Sequence, residues 1–149
     1  MNLQFRKIAI ADDDEDDRYI FQEAFESLNL GLELFQFKDG MELMNYLNCS
    51  LNELPNFLFL DLNMPKKNGL ECLQEIRANE RLKGLPISIY STSNSDRDIQ
   101  EAYALGADIY LTKPTSFNLL KNSLERLFTS SWVKEMTKPS KKEFIFNLY

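Results

Sequence analysis

Four places in this chain carry groups that could do chemistry together: Asp12-Asp13, Asp61, Ser91-Thr92 and Lys113. Three carboxylates at close range repel one another, so a pocket built from them calls for a cation or a protonated acid. Hard oxygen ligands without histidine or thiolate suit magnesium, which keeps several waters and binds through one or two carboxylates plus phosphate oxygen. A lysine adds a compact positive charge and a hydroxyl adds a hydrogen-bond donor. Together they can neutralise an anion arriving on Asp61. A carboxylate can act as nucleophile toward phosphorus and give an aspartyl phosphate. That transfer asks mainly for positioning and charge neutralisation, which a metal and a lysine supply. Each part alone is weak, because a lone aspartate after a strand is more often structural. As a set, the parts match a phosphoacceptor site.

The rest of the composition narrows the chemistry. There is no histidine in the 149 residues, which removes the commonest general base and the usual zinc ligand. Ser-His-Asp catalysis and ordinary zinc chemistry are excluded. The net charge of -6 argues against general nucleic-acid binding, which needs a basic footprint. No run reaches the length of a membrane span, and no long apolar segment opens the chain. A cytoplasmic protein with no membrane contact is expected. Cys49 and Cys72 have no metal-like or redox spacing and read as reduced packing residues. The 44% hydrophobic content suffices for one domain with its own core.

The elements that must position these groups follow from hydrophobic patterning. Phe57-Leu58-Phe59-Leu60 is a short, wholly apolar run leading into Asp61, with Pro65 beyond. Such a run suits a strand buried on both faces of a parallel sheet. Lys7 to Ala11 reads as a first strand ending in six acids, Asp12 to Asp17. Asp14 to Asp17 suit the first turn of the helix that follows, where acids favour the macrodipole. Asp12 and Asp13 precede that turn and need another reason. Leu32 to Phe37, Ile87 to Tyr90 and Asp108 to Leu111 read as three more strands. Helices start after Asp39-Gly40, after Gly69, at an N-cap on Asn94 or Ser95, and at a cap on Ser116.

Five strands alternating with five helices is the pattern of a doubly wound parallel sheet. Right-handed crossovers leave few topologies, and the flavodoxin-like (βα)5 α/β fold with strand order 2-1-3-4-5 is the one expected. In that order the ends of strands one, three, four and five meet on one face, bringing together Asp12, Asp13, Asp61, Ser91, Thr92 and Lys113. Residues 129–149 lie outside the repeat. Their apolar end, Phe144-Ile145-Phe146-Asn147-Leu148-Tyr149, is expected to pack on the domain or on a second copy rather than stay disordered.

These residues and their intervals resemble a CheY-like receiver domain of bacterial two-component response regulators over about residues 5–128. The likeness rests on Asp12-Asp13, Asp61 with Met64-Pro65 and Gly69, Ser91-Thr92, and Lys113-Pro114. It implies that Asp61 is phosphorylated and that Asp12, Asp13, Asp61 and the Asn63 backbone carbonyl hold Mg2+. It further implies that Lys113 pairs with phosphoryl oxygens, that Lys113-Pro114 is a cis peptide, and that Ser91 hydrogen-bonds the phosphate. Tyr110 becomes the aromatic switch coupled to Ser91; its bland reading is a half-buried strand aromatic. The family prefers threonine at the Ser91 position, and serine retains the hydroxyl. The run from Asp61 to Gly69 and Ser91-Thr92-Ser93 resemble the subgroup associated with bacteriophytochrome kinases.

The same resemblance implies a signalling protein rather than an enzyme, with residues 1–128 as the receiver and 129–149 as an extension. A chain without histidine takes its phosphoryl group from a separate histidine kinase or phosphotransfer protein. Some twenty residues after the last receiver helix are too few for a DNA-binding output domain, so signalling through a downstream protein partner is expected. Dimerisation through the last helix and tail is a further expectation. The rival readings are a receiver-like binding module that is never phosphorylated and a haloacid-dehalogenase-type phosphatase. The latter would use Asp12-Asp13-Asp14 and leaves Asp61 unexplained. A flavin-binding use of the fold meets a wall of acids where a phosphate cradle should be.

Overall fold

The apolar runs become five parallel strands: β1 (Lys7–Ala11), β2 (Glu33–Phe37), β3 (Phe57–Leu60), β4 (Ile87–Ser91) and β5 (Ile109–Thr112). They form one sheet in the order β2-β1-β3-β4-β5, as the sequence leads one to expect. The structure is a computed structural model that describes residues 6–135 and 137–146. Every residue of β3 is buried, because a central parallel strand is covered on both faces.

Five helices alternate with the strands: α1 (Glu15–Ser27), α2 (Gly40–Asn48), α3 (Gly69–Ala78), α4 (Asp96–Ala104) and α5 (Phe117–Phe128). Side chains alternate across the sheet with period two, so each strand feeds two cores. Ile8, Ile10, Phe57, Phe59, Ile109 and Leu111 pack under α1 and α5. Ala9, Leu58, Leu60, Ile87, Ile89 and Tyr110 pack under α2, α3 and α4. Helix starts are set by side-chain caps, with Asp14, Asp39, Asn68, Ser95 and Ser116 each accepting a first-turn N–H. Each such cap stabilises a helix by about 1 kcal/mol. Of the two candidate caps for α4, Ser95 is the one used.

Three expectations change. The strand expected at Asp108 to Leu111 runs one residue later, while the Asp108 carboxylate accepts from Ile87 N at 2.8 Å and pairs with Arg77. Cys72 is a buried packing residue, but Cys49 is exposed rather than part of the core. No peptide bond among the described residues is cis, so Lys113-Pro114 is trans. The trans form is the lower in energy by about 0.5–1 kcal/mol for an X–Pro bond, and it already delivers the lysine head to the acids.

Beyond α5, a short helix α6 (Ser131–Lys134) buries Trp132 and Val133. A 3-10 turn at Lys141–Glu143 then leads to residues 144–146, which lie beside β5. Tyr110 N donates to Phe144 O at 2.7 Å, and Phe146 N donates to Tyr110 O at 2.9 Å. Phe144 and Phe146 are buried, one against each core. An edge strand covered in this way has fewer open backbone groups to pair with another chain. Met136 and the end of the apolar run, Asn147, Leu148 and Tyr149, lie outside the described residues.

Candidate functional site at the carboxyl edge of the sheet

The site is assembled by strand ends tied to one another through backbone hydrogen bonds. Asp12 N donates to Phe37 O at 3.0 Å, Asp61 N to Ala11 O at 3.0 Å, and Lys113 N to Ser91 O at 2.7 Å. Each functional residue therefore begins where a strand stops, and its main chain is fixed by the neighbouring strand. Helix α3 closes the floor at Gly69. A Cβ there would run into the Asp61 carbonyl and the Leu62 backbone, so only glycine lets the helix start this close.

Carboxylate oxygens of Asp12, Asp13 and Asp61 all lie within 4.8 Å of one another. Asp12 is fully buried, Asp61 is 6% exposed, and Asp13 opens to solvent. Lys113 Nζ sits among them, 2.7 Å from Asp12 Oδ2 and 3.2 Å from Asp61 Oδ2. It also lies over the Tyr90 ring. Burial opposes the Lys113 ammonium, but its close pairing with Asp12 and Asp17 and the charge of Asp61 outweigh that, and its pKa is raised. Burial pushes the Asp61 carboxyl up to about 7 against the pull of Lys113, with Asp12 adding to the rise.

The donor set fits a divalent cation. Asp12 Oδ2 is buried and accepts no hydrogen bond among the described residues; its approach to Lys113 is an ion pair without hydrogen-bond alignment. A buried carboxylate oxygen left in this state has coordinating capacity to spare. Together with Asp13 and Asp61 it offers the hard oxygen ligands that Mg2+ and Mn2+ take.

Ser91 is buried at the end of β4, its Oγ accepting from Ser93 N at 3.2 Å. Thr92, one residue on, is exposed. Asn63 N approaches Asp61 Oδ1 at 3.4 Å, and its side chain faces solvent. Tyr110 is buried rather than half-buried, and its hydroxyl donates to Ser93 O at 2.8 Å. Burial raises the Tyr110 phenol pKa above its usual value. The side chain thus ends in the β4–α4 loop, beside Ser91.

Asp17 escaped the sequence reading. Its Oδ2 lies 2.7 Å from Lys113 Nζ, so one lysine faces three acids. Asp17 had a sufficient explanation in the helix macrodipole. The available signal was its place three residues after the N-cap Asp14, where a helical side chain tilts back toward the strand end.

The family model of the response regulator receiver domain matches residues 8–125. The response regulator Rcp1 of Synechocystis is 31% identical over 137 residues, 89% of this chain and 92% of its own. FilR2 of Methanothrix harundinacea, named a probable methanogenesis regulatory protein, is 34% identical over 80% of this chain and 79% of its own. Among solved structures, the phosphorylated cyanobacterial phytochrome response regulator RcpA superposes with a TM-score of 0.80 at 33% identity, covering 91% of this chain and 99% of that one. The Mn2+-bound form of Rcp1 gives a TM-score of 0.76 with the same coverage.

Proposed function

The chain belongs to the response regulator receiver family, and we propose that Asp61 is its phosphoacceptor in a two-component phosphorelay. The observation that carries this reading is the meeting of Asp12, Asp13, Asp61 and Lys113 at one sheet edge. An Asp61 carboxylate oxygen attacks the phosphorus of the donor, the bond from phosphorus to the leaving group breaks, and an acyl phosphate forms. Lys113 supplies positive charge where phosphoryl oxygens arrive. Ser91 and Thr92 supply hydroxyls, and Ser91 with Tyr110 forms the switch that reports the modification. Asp12, Asp13, Asp61 and the Asn63 backbone carbonyl hold Mg2+. When bound, that ion neutralises charge on the acids and on the incoming phosphoryl group.

The donor is a histidine kinase or a histidine phosphotransfer protein, since no histidine of this chain can serve. The family is a signalling domain and not a conventional enzyme. The output is a phosphorylation-dependent contact with a downstream protein, and a second copy of the chain is a further candidate partner. We divide the chain into a receiver of residues 1–128 and an extension of residues 129–149. No described helix is long and apolar enough to cross a membrane. A chain fed by an ATP-dependent kinase is assigned to the cytoplasm.

Hydroxylamine mapping tests the chemistry. An acyl phosphate on Asp61 gives a hydroxamate at that residue after incubation with acetyl phosphate and Mg2+. A phosphoryl group mapped to a serine or threonine instead would contradict the assignment.

A further inference from the structure

The three acids around Lys113 are not equivalent. Asp12 and Asp61 belong to the carboxylate cluster that lies within 4.8 Å, and Asp17 is not part of that cluster among the described residues. The shorter of the two aligned hydrogen bonds from Lys113 nevertheless goes to Asp17. It spans 2.7 Å from Nζ to Oδ2, against 3.2 Å to Asp61. Asp17 is placed by the start of α1, where its own N–H donates to the Asp14 cap at 3.1 Å. That turn is stitched to the end of β1 by Asp14 N on Asp12 Oδ1 at 3.0 Å and by Arg18 Nη1 on Asp12 O at 2.6 Å. The lysine main chain is fixed separately, by Ser91 O.

A divalent ion and the lysine ammonium compete for the carboxylates of Asp12 and Asp61, and two cations at such range repel. An ion at those acids takes from Lys113 two of its three partners, and Asp17 is the one that remains. Asp17 is also the outermost of the three, its side chain 32% exposed against 8% for Lys113. Both residues border a hollow of about 80 Å3 between α1 and the start of α5. A lysine head released from the acids has that hollow open to it.

We propose that Asp17 is a positioning residue for Lys113, anchoring its ammonium at the site when a divalent ion takes Asp12 and Asp61. The role rests on the proposed function of Asp61 and its cation site. Asp17 makes no bond to the reacting atoms. It acts by keeping positive charge where phosphoryl oxygens arrive.

Amine acetylation of the full chain in Mg2+ and in EDTA, read at Lys113 by peptide mass spectrometry, tests the proposal. In the native chain Lys113 should label slowly in both. In Asp17→Asn it should label slowly in EDTA, where Asp12 and Asp61 still hold it, and about tenfold faster in Mg2+, for loss of one charged hydrogen bond. Asp16→Asn, which removes the same charge from the same helical turn, should behave as the native chain. Thermal melts establish that each variant is folded. Calorimetry with Mg2+ on the native chain separates the two levels of the account. If the ion binds and Asp17→Asn labels at the native rate, the proposal fails and the cation site stands; if no ion binds, both fail. Equal acceleration of Asp17→Asn in EDTA, or by Asp16→Asn, would also overturn the proposal. So would fast labelling of native Lys113 in Mg2+, a result that needs no variant.

Discussion

Lys113 Nζ lies 3.2 Å from Asp61 Oδ2 across 52 residues of sequence. The same nitrogen is 2.7 Å from Asp12 and 2.7 Å from Asp17, so a single buried cation holds three acids in place. Replacing it with Lys113→Met leaves those acids facing one another. Removing one member of a buried ionic group costs about 3–5 kcal/mol, and protonation of Asp61 limits the loss to about the lower end of that range. Urea unfolding without divalent ion should show this drop, and Mg2+ should recover part of it. A variant as stable as the native chain would show that the lysine is not what holds the acids.

The raised pKa of Asp61 sets the sign of the pH dependence. Burial moves its carboxyl from 3.8 to about 7, so between those values the folded chain holds a proton that the unfolded chain has released. Stability without metal should therefore fall as pH rises through that window, the reverse of the usual carboxylate case. A divalent ion binds the deprotonated acids and should flatten the slope. Thermal melts at pH 5, 6, 7 and 8, with Mg2+ and with EDTA, measure both effects.

Gly69→Ala tests how tightly α3 is seated under Asp61. The added Cβ meets backbone on Asp61 and Leu62 rather than a flexible side chain, so relief requires moving the strand end or the helix. Overpacking of this kind costs about 1–3 kcal/mol. Both urea stability and the rate of phosphorylation by acetyl phosphate should fall. Loss of stability alone would mean that the helix moved and Asp61 did not.

The two thiols should differ sharply in reactivity. Burial pushes Cys72 up to about 12, which keeps it as an unreactive thiol near neutral pH. Cys49 is exposed. Titration with a chromogenic disulfide at pH 8 should give one fast equivalent, with the second appearing only in denaturant. Two fast equivalents would mean that the core around α2 and α3 opens readily.

Much of the fold was legible because buried parallel strands are short and apolar on both faces. Phe57 to Leu60 needed no context to be read as one, and Ser116 stood alone as a helix start. The meeting of Asp12, Asp61 and Lys113 followed from strand ends once the strand order was fixed. Asp17 was not legible, because a local effect, the helix macrodipole, already accounted for it, and its bond to Lys113 spans 96 residues. The trans state of Lys113-Pro114 was also beyond reach, since the two isomers of an X–Pro bond differ by only about 0.5–1 kcal/mol. The apolar character of Phe144 and Phe146 was visible in sequence. Their place beside β5 depends on which edge the chain meets after α6, and no local pattern encodes that.

The most direct test of the central claim is the intact mass of the chain after incubation with acetyl phosphate. It is measured with Mg2+, with EDTA, and for Asp61→Asn. A single phosphoryl gain that requires both Mg2+ and Asp61 is predicted. A gain that survives in Asp61→Asn or in EDTA, or no gain in the native chain with Mg2+, would contradict the assignment of Asp61 as a metal-dependent phosphoacceptor.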